Sequence, residues 1–203
     1  MPLSRPPQII LIMPTNEILP VVDRYDHVRA YLPSGVIHER ELRHREVVIY
    51  LFDKKGCVLV QKRDGGVYDH SVAGHVGKHE RYLVAAQREI KEELGLFVQK
   101  QDLLRVGKFY HRSFSERSQR YNNRFFTLYV LNQSVDKRTL RLDHREVETI
   151  ETMTFEQIHR LFKGKSSHFK GGFPVSFKAL IHASAKATSG LEILSSLVRR
   201  PRG

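Results

Sequence analysis

The sequence predicts an α/β fold in which a mixed sheet lies between helices, with a further helical extension at the C-terminus. Three observations carry this reading. Strand-like and helix-like runs follow one another without regular alternation, which argues against a purely parallel sheet. One strongly amphipathic helix pattern stands among the strands, over residues 82–94. No repeat, low-complexity tract or linker divides the chain, and 203 residues with 40% apolar and 28% charged content suffice for one hydrophobic core. The expected organisation is a disordered start over 1–15, one domain over 16–165, and a helical extension with a basic tail over 166–203.

The elements follow in order. Leu19 to Asp23 and His27 to Leu32 read as short strands, separated by the polar Arg24-Tyr25-Asp26 turn. Glu46 to Asp53 and Cys57 to Arg63 are rich in β-branched and aliphatic residues. Lys54-Lys55-Gly56 joins them, which is a hairpin signal. Beyond the Asp64-Gly65-Gly66 loop a short strand reaches Ala73, and the helix from Tyr82 to Leu94 ends at Gly95, a residue that accepts a left-handed conformation cheaply. Further strands are predicted at Leu103 to Arg112, Arg124 to Leu131 and Val147 to Met153. Thr154 with Gln157 has the spacing of a capping box and opens a helix through about Phe162. Val175 to Val198 reads as one or two helices broken near Gly190, offering Leu180, Ile181, Leu191, Leu194 and Leu197 for packing.

Charge and cysteine usage narrow the function classes. A net charge of +12 favours polyanionic partners such as nucleotides, nucleic acid or membrane surfaces. Part of the excess is a terminal group, Arg199, Arg200 and Arg202, read as a solvated tail. A second group, His111, Arg112, Arg117, Arg120 and Arg124, lies between two strand-like runs and is placed to face a ligand. The apolar run Ile9 to Met13 is too short for a signal peptide or a membrane span. The single cysteine, Cys57, excludes an intramolecular disulfide and agrees with a cytoplasmic location; a half-buried strand position is expected for it.

The chemistry is concentrated in Gly74 to Leu96, GHVGKHERYLVAAQREIKEELGL. At about 100° per residue, Leu83, Ala86, Ile90 and Leu94 fall within a stripe of roughly 80° that faces the core. With Glu89 as the origin, Glu93 lies about 40° to one side and Glu92 about 60° to the other, so three carboxylates converge on one face. Like charges at i,i+4 cost a helix roughly 0.2 to 0.5 kcal/mol, and a bound divalent cation reverses the sign. Hard oxygen ligands suit magnesium or manganese, which bind phosphate oxygens at the same time. Arg88, four residues before Glu92, pins one carboxylate. An isolated run of glutamates is most often a solvated face. Here the whole string fits G-x5-E-x7-R-E-U-x-E-E-x-G-U through Gly74, Glu80, Arg88, Glu89, Ile90, Glu92, Glu93, Gly95 and Leu96. Chance would produce that on the order of once in a million such chains.

That string resembles the Nudix box at every fixed position. The resemblance implies a Nudix-type α/β/α sandwich with a mixed sheet and the hydrolysis of a nucleoside diphosphate linked to another moiety, with Mg2+ or Mn2+ as cofactor. It further implies that Glu89 and Glu93 lead the metal ligands and that Glu92 is a ligand or general base. Arg88 orients them, Glu80 is auxiliary, and the Gly74 backbone approaches the metal. Arg63, Arg112 and Arg124 are the candidates for the substrate phosphates. A weaker likeness over Asn16 to Phe162 points to the branch that contains isopentenyl-diphosphate isomerases and related hydrolases. Isomerases of that branch use an SVCGH element; here Ser71-Val72-Ala73-Gly74-His75 has alanine in the reactive place, and a methyl group cannot transfer a proton. The later isomerase carboxylates are replaced by Asn122 and Arg124. His38, His44 and His75 stand near the isomerase's histidine metal site, the first two one residue closer together than the pattern; with those carboxylates missing they are read as surface or hydrogen-bonded histidines. A small diphosphate is therefore the expected partner, ahead of nucleic acid, with no membrane and an open oligomeric state.

Overall fold

The computed structural model describes residues 17–63, 66–115, 119–164 and 168–185. The expected disordered start, the basic tail and the helix beyond 185 lie outside the described residues, as does Arg117. Strands β1 (Ile18–Val22) and β2 (Val28–Pro33) form a separate antiparallel pair, and a short helix α1 (Ser34–Glu39), absent from the sequence reading, leads into the main sheet. That sheet contains β3 (His44–Phe52), β4 (Val58–Arg63), β5 (Val67–Asp69), β6 (Val72–His75), β7 (Leu103–Ser115), β8 (Arg120–Ser134) and β9 (Thr149–Met153). It is mixed, since β3 pairs parallel to β8 while β7 and β8 run antiparallel. Helix α2 (Tyr82–Leu94) follows β6; α3 (Phe155–Gly164) and α4 (Phe173–Ala185) close the chain's described part.

The layers follow from alternation along β3, the central strand, which is buried on both faces. Val47, Ile49 and Leu51 turn toward α2, whose Ala85, Ala86, Ile90 and Leu94 complete one core. Val48, Tyr50 and Phe52 turn the other way, onto Ile158 of α3 and Phe173, Phe177 and Leu180 of α4. The C-terminal helix thus builds the second helical layer. Among the described residues no helix is long and apolar enough to cross a membrane.

Two strand expectations change. The predicted hairpin over 46–63 is paired only at Phe52 and Val58. A strand has two edges, and those of β3 are taken by β6 (Glu46 to Ile49 against His75 to Val72) and by β8. β4 therefore diverges and pairs with β5 and β9. Conversely, β7 and β8 run beyond their predicted ends, because the polar segment between them continues the ladder to Ser115 and Arg120, with Arg112 stacked 3.7 Å over the Tyr121 ring.

Candidate active site

The loop before α2 and the helix itself bring the box residues together. Gly95 ends α2 with φ 69°, as its position after the last periodic residue predicts. Gly74 on β6 is a matter of space: a Cβ there would overlap the Glu89 carboxyl group. Arg88 is the hub. Its guanidinium bonds both oxygens of Glu80 at 3.0 Å, Glu89 at 2.8 Å, Glu92 at 2.8 Å and the His75 carbonyl at 2.8 Å. Glu80 also accepts from the Gly77 N–H, so it fixes Arg88 and the preceding loop together.

The carboxylates sort into two groups. Glu89 and Glu93 are 6% and 2% exposed, and their oxygens lie within 4.8 Å of each other and of one from Glu146. Glu92 stays outside this trio, exposed at the cavity wall and paired with Arg88. Glu146 was not anticipated from the sequence. It sits in the turn at Asp143–Val147, held by buried Val147, by the bond from Asp143 N–H to the Glu93 carbonyl, and by Arg63, which donates to the Glu146 carbonyl at 3.1 Å. Burial pushes the Glu89 carboxyl up to about 7, with Glu92 adding to it against the pull of Arg88. Burial, and next the Glu89 charge, push Glu93 up to about 8; among the described residues only Gln61 bonds its carboxyl group. Two buried carboxylates that resist ionisation beside a third are a site short of positive charge, and this donor set fits a hard divalent cation.

Residues 42–171 match the family model described as the NUDIX domain. The chain belongs to the Nudix family. Among curated relatives it is 40% identical over 91 residues to an uncharacterized Nudix hydrolase of Streptomyces coelicolor, a match covering 42% of this chain and 50% of the relative. It is also 35% identical over 86 residues to an isopentenyl-diphosphate Δ-isomerase 2 of Photorhabdus laumondii, covering 39% of this chain and 49% of that one. The chain thus spans about half the length of the curated relatives it matches. A crystal structure from Deinococcus radiodurans superposes with a TM-score of 0.58 at 23% identity, over 80% of this chain and 99% of that chain. The Nudix domain of Shewanella oneidensis NrtR, solved with ADP-ribose, gives 0.50 at 11% identity over 68% of this chain and 86% of that chain. These two likenesses concern the fold.

The Nudix box forms one wall of a cavity of about 520 Å3 whose other walls come from β3, β6, β8 and the segment before α4. Ala73 lies in its lining. The three histidines converge rather than scattering over the surface, with His75 in the cavity's lining: the ligand nitrogens of His38, His44 and His75 lie within 4.8 Å of one another. They are also hydrogen-bonded, His38 Nε2 to His75 Nε2 at 3.1 Å and His44 Nδ1 to the Leu42 carbonyl at 3.1 Å. Since a carbonyl only accepts, His44 Nδ1–H is the donor to Leu42, and the buried Nε2 turns inward without a hydrogen bond. Burial, then His44 and His75, push His38 down to about 4, whereas His75 is raised against its burial by Glu17 and Glu46. Three imidazoles are a ligand set for a first-row divalent ion. Two carboxylates flank them: Glu17 is bonded to His75 Nδ1 at 3.1 Å, and Glu46 is 3.4 Å from His44 Nε2 but is held at 2.6 Å by Arg124.

The three phosphate candidates separate. Arg124 lines the cavity. Arg63 is engaged by Asp69 at 2.8 Å and by the Glu146 carbonyl, so it anchors the turn that carries Glu146. Arg112 pairs with Glu41 at 2.9 Å. It lies opposite Asn123 in the ladder, so by strand alternation it leaves the sheet on the face away from Arg124 and the cavity.

Proposed function

We propose that this protein hydrolyses a phosphoanhydride bond in a nucleoside diphosphate derivative or related organic diphosphate, with Mg2+ or Mn2+ held by Glu89, Glu93 and the Gly74 backbone. Glu146 joins that set from outside the box. The observation that carries the reading is the trio of carboxylates, two of them buried with raised protonation ranges, of which Glu89 and Glu146 line a cavity of about 520 Å3. The cation, when bound, polarises the phosphoryl oxygens and acidifies the attacking water. Arg88 holds Glu80, Glu89 and Glu92 in place, so that these three carboxylates need not reorganise as the substrate arrives. Glu92, outside the trio yet lining the cavity, takes the proton from water as its oxygen bonds to phosphorus and the bridging P–O bond breaks. The solved complex of NrtR with ADP-ribose, a nucleoside diphosphate derivative, supports this substrate class. A cytoplasmic enzyme agrees with one free cysteine.

The converging histidines and the relatives named isomerases favour one second reading, prenyl diphosphate isomerisation. Ala73 and Arg124 weigh against it, since neither a methyl group nor a guanidinium shuttles protons at neutral pH. Phosphorus NMR of a nucleotide panel and isopentenyl diphosphate, run in 18O-labelled water, separates the two. Label in one phosphorylated product is expected, lost in Glu93→Gln. Double-bond migration without phosphate release would overturn the hydrolase.

A further inference from the structure

Arg124 is an arginine with donors to spare in a buried place. It stands on β8 with its side chain 7% exposed. Its Nε touches Glu46 Oε2 at 2.6 Å but outside hydrogen-bond geometry, and its Nη1 reaches Ser113 Oγ at a long 3.3 Å. A guanidinium has five N–H groups. Those on Nη2 bond to no acceptor among the described residues and press against Gly172, where a Cβ would overlap them. Glu46 has little left to give, since it also accepts from Asn122 Nδ2 at 2.9 Å and lies beside His44. Gly172 immediately precedes α4, so the cation packs against the end of a helix that carries partial positive charge. Lys170, paired with Asp69 at 3.1 Å, lines the same cavity. An Nη2 group that lacks a protein acceptor in a residue lining the cavity can donate to a ligand there, and a cation at a helix N-terminus is unfavourable until an anion joins it.

We propose that Arg124, Lys170 and the N-terminal end of α4 form a seat for a phosphoryl group of the substrate, separate from the phosphorus attacked beside the carboxylates. The proposal rests on the hydrolase reading and narrows it to substrates that present a phosphoryl group away from the reacting centre. It also gives α4, which lies beyond the family match ending at 171, a part in recognition.

The test separates the seat from the chemistry. Inorganic phosphate is titrated into the full chain in EDTA, where no turnover occurs, and followed through the Arg124 side-chain nitrogens and the amides of Gly172, Phe173, Val175 and Ser176. Saturable shifts there are expected, unchanged in Glu93→Gln and weakened at least tenfold in Arg124→Gln. Arg124→Lys, which keeps the charge next to Glu46 but loses the planar fork, is expected to bind between the two. Gly172→Ala, which displaces the guanidinium without removing it, is expected to weaken binding as well. With a nucleotide that proves to be a substrate, Arg124→Gln raises KM more than it lowers kcat, the reverse of Glu93→Gln. Equal phosphate affinity in the wild type and Arg124→Gln, no saturation in the wild type, or an equal response to acetate would overturn the seat. A protein that binds phosphate this way yet turns over no diphosphate would instead overturn the hydrolase reading.

Discussion

A methyl group at position 74 has nowhere to go, because the Glu89 carboxyl group already fills that space. Gly74→Ala is therefore expected to leave the fold intact and to push Glu89 out of the trio, lowering kcat by roughly 100-fold, the scale set by ångström misplacement at a reacting centre; kcat near wild type would contradict it. At this scale the sequence was most informative where spacing along one helix decides geometry. Glu89 with Glu93, and Arg88 with Glu92, could be placed from a 100° rotation per residue, and the Arg88–Glu92 pair forms at 2.8 Å; Glu92, expected to converge with the other two carboxylates, instead stays outside the trio. Glu146 was out of reach for the same reason. It joins the trio through a turn held by Arg63 and Val147, and nothing in DHREV distinguishes it from a surface glutamate. The histidines had a signal, their spacing, that was outweighed by the missing carboxylates; three-dimensional convergence of α1, β3 and β6 is what brings them together.

Local capping chemistry proved readable at the level of elements. Thr154 Oγ1 accepts from the Gln157 N–H at 3.1 Å while Gln157 Oε1 accepts from the Thr154 N–H at 2.7 Å, the reciprocal pair expected before α3. Thr154→Ala is expected to cost about 1 kcal/mol in denaturant unfolding with activity preserved; no change in midpoint would mean that α3 is held by packing alone. Pairing was less readable. The β3–β4 hairpin signal came from a correct turn, but which strand fills an edge is settled by competition with β6 and β8, far along the chain. α1 escaped notice because six residues are too few for a period to show. β7 and β8 outran their predicted ends because aromatic and cation contacts across the ladder support residues that look like loop.

For the molecule as a whole, the two cores were legible as apolar runs, but their division between α2 on one face and α3 with α4 on the other emerges only with the sheet. Electrostatics at this scale has a definite sign. Glu89 and Glu93 are raised to about 7 and about 8 from an ordinary 4.5, so the folded state binds protons that the unfolded state has released. Their contribution to stability is full below pH 4.5 and is lost as pH rises through 7 to 8. His38, pushed down to about 4, acts in the opposite direction, favouring the folded state above the ordinary imidazole range and losing that as pH falls. Comparing variants isolates the carboxylates: in EDTA, the change in Tm between pH 5.5 and pH 8 should be more negative for the wild type than for Glu93→Gln, and millimolar Mg2+ should reverse most of that difference. Parallel pH profiles for the two proteins would contradict the burial argument. The most direct test of the central claim, that these buried carboxylates gather around a divalent ion, is Mn2+ binding followed by electron paramagnetic resonance in the wild type, Glu89→Gln, Glu93→Gln and a His38→Ala control. The account predicts a saturable site weakened at least tenfold in both glutamate variants and still present in the histidine variant; a site indifferent to both glutamates would contradict it.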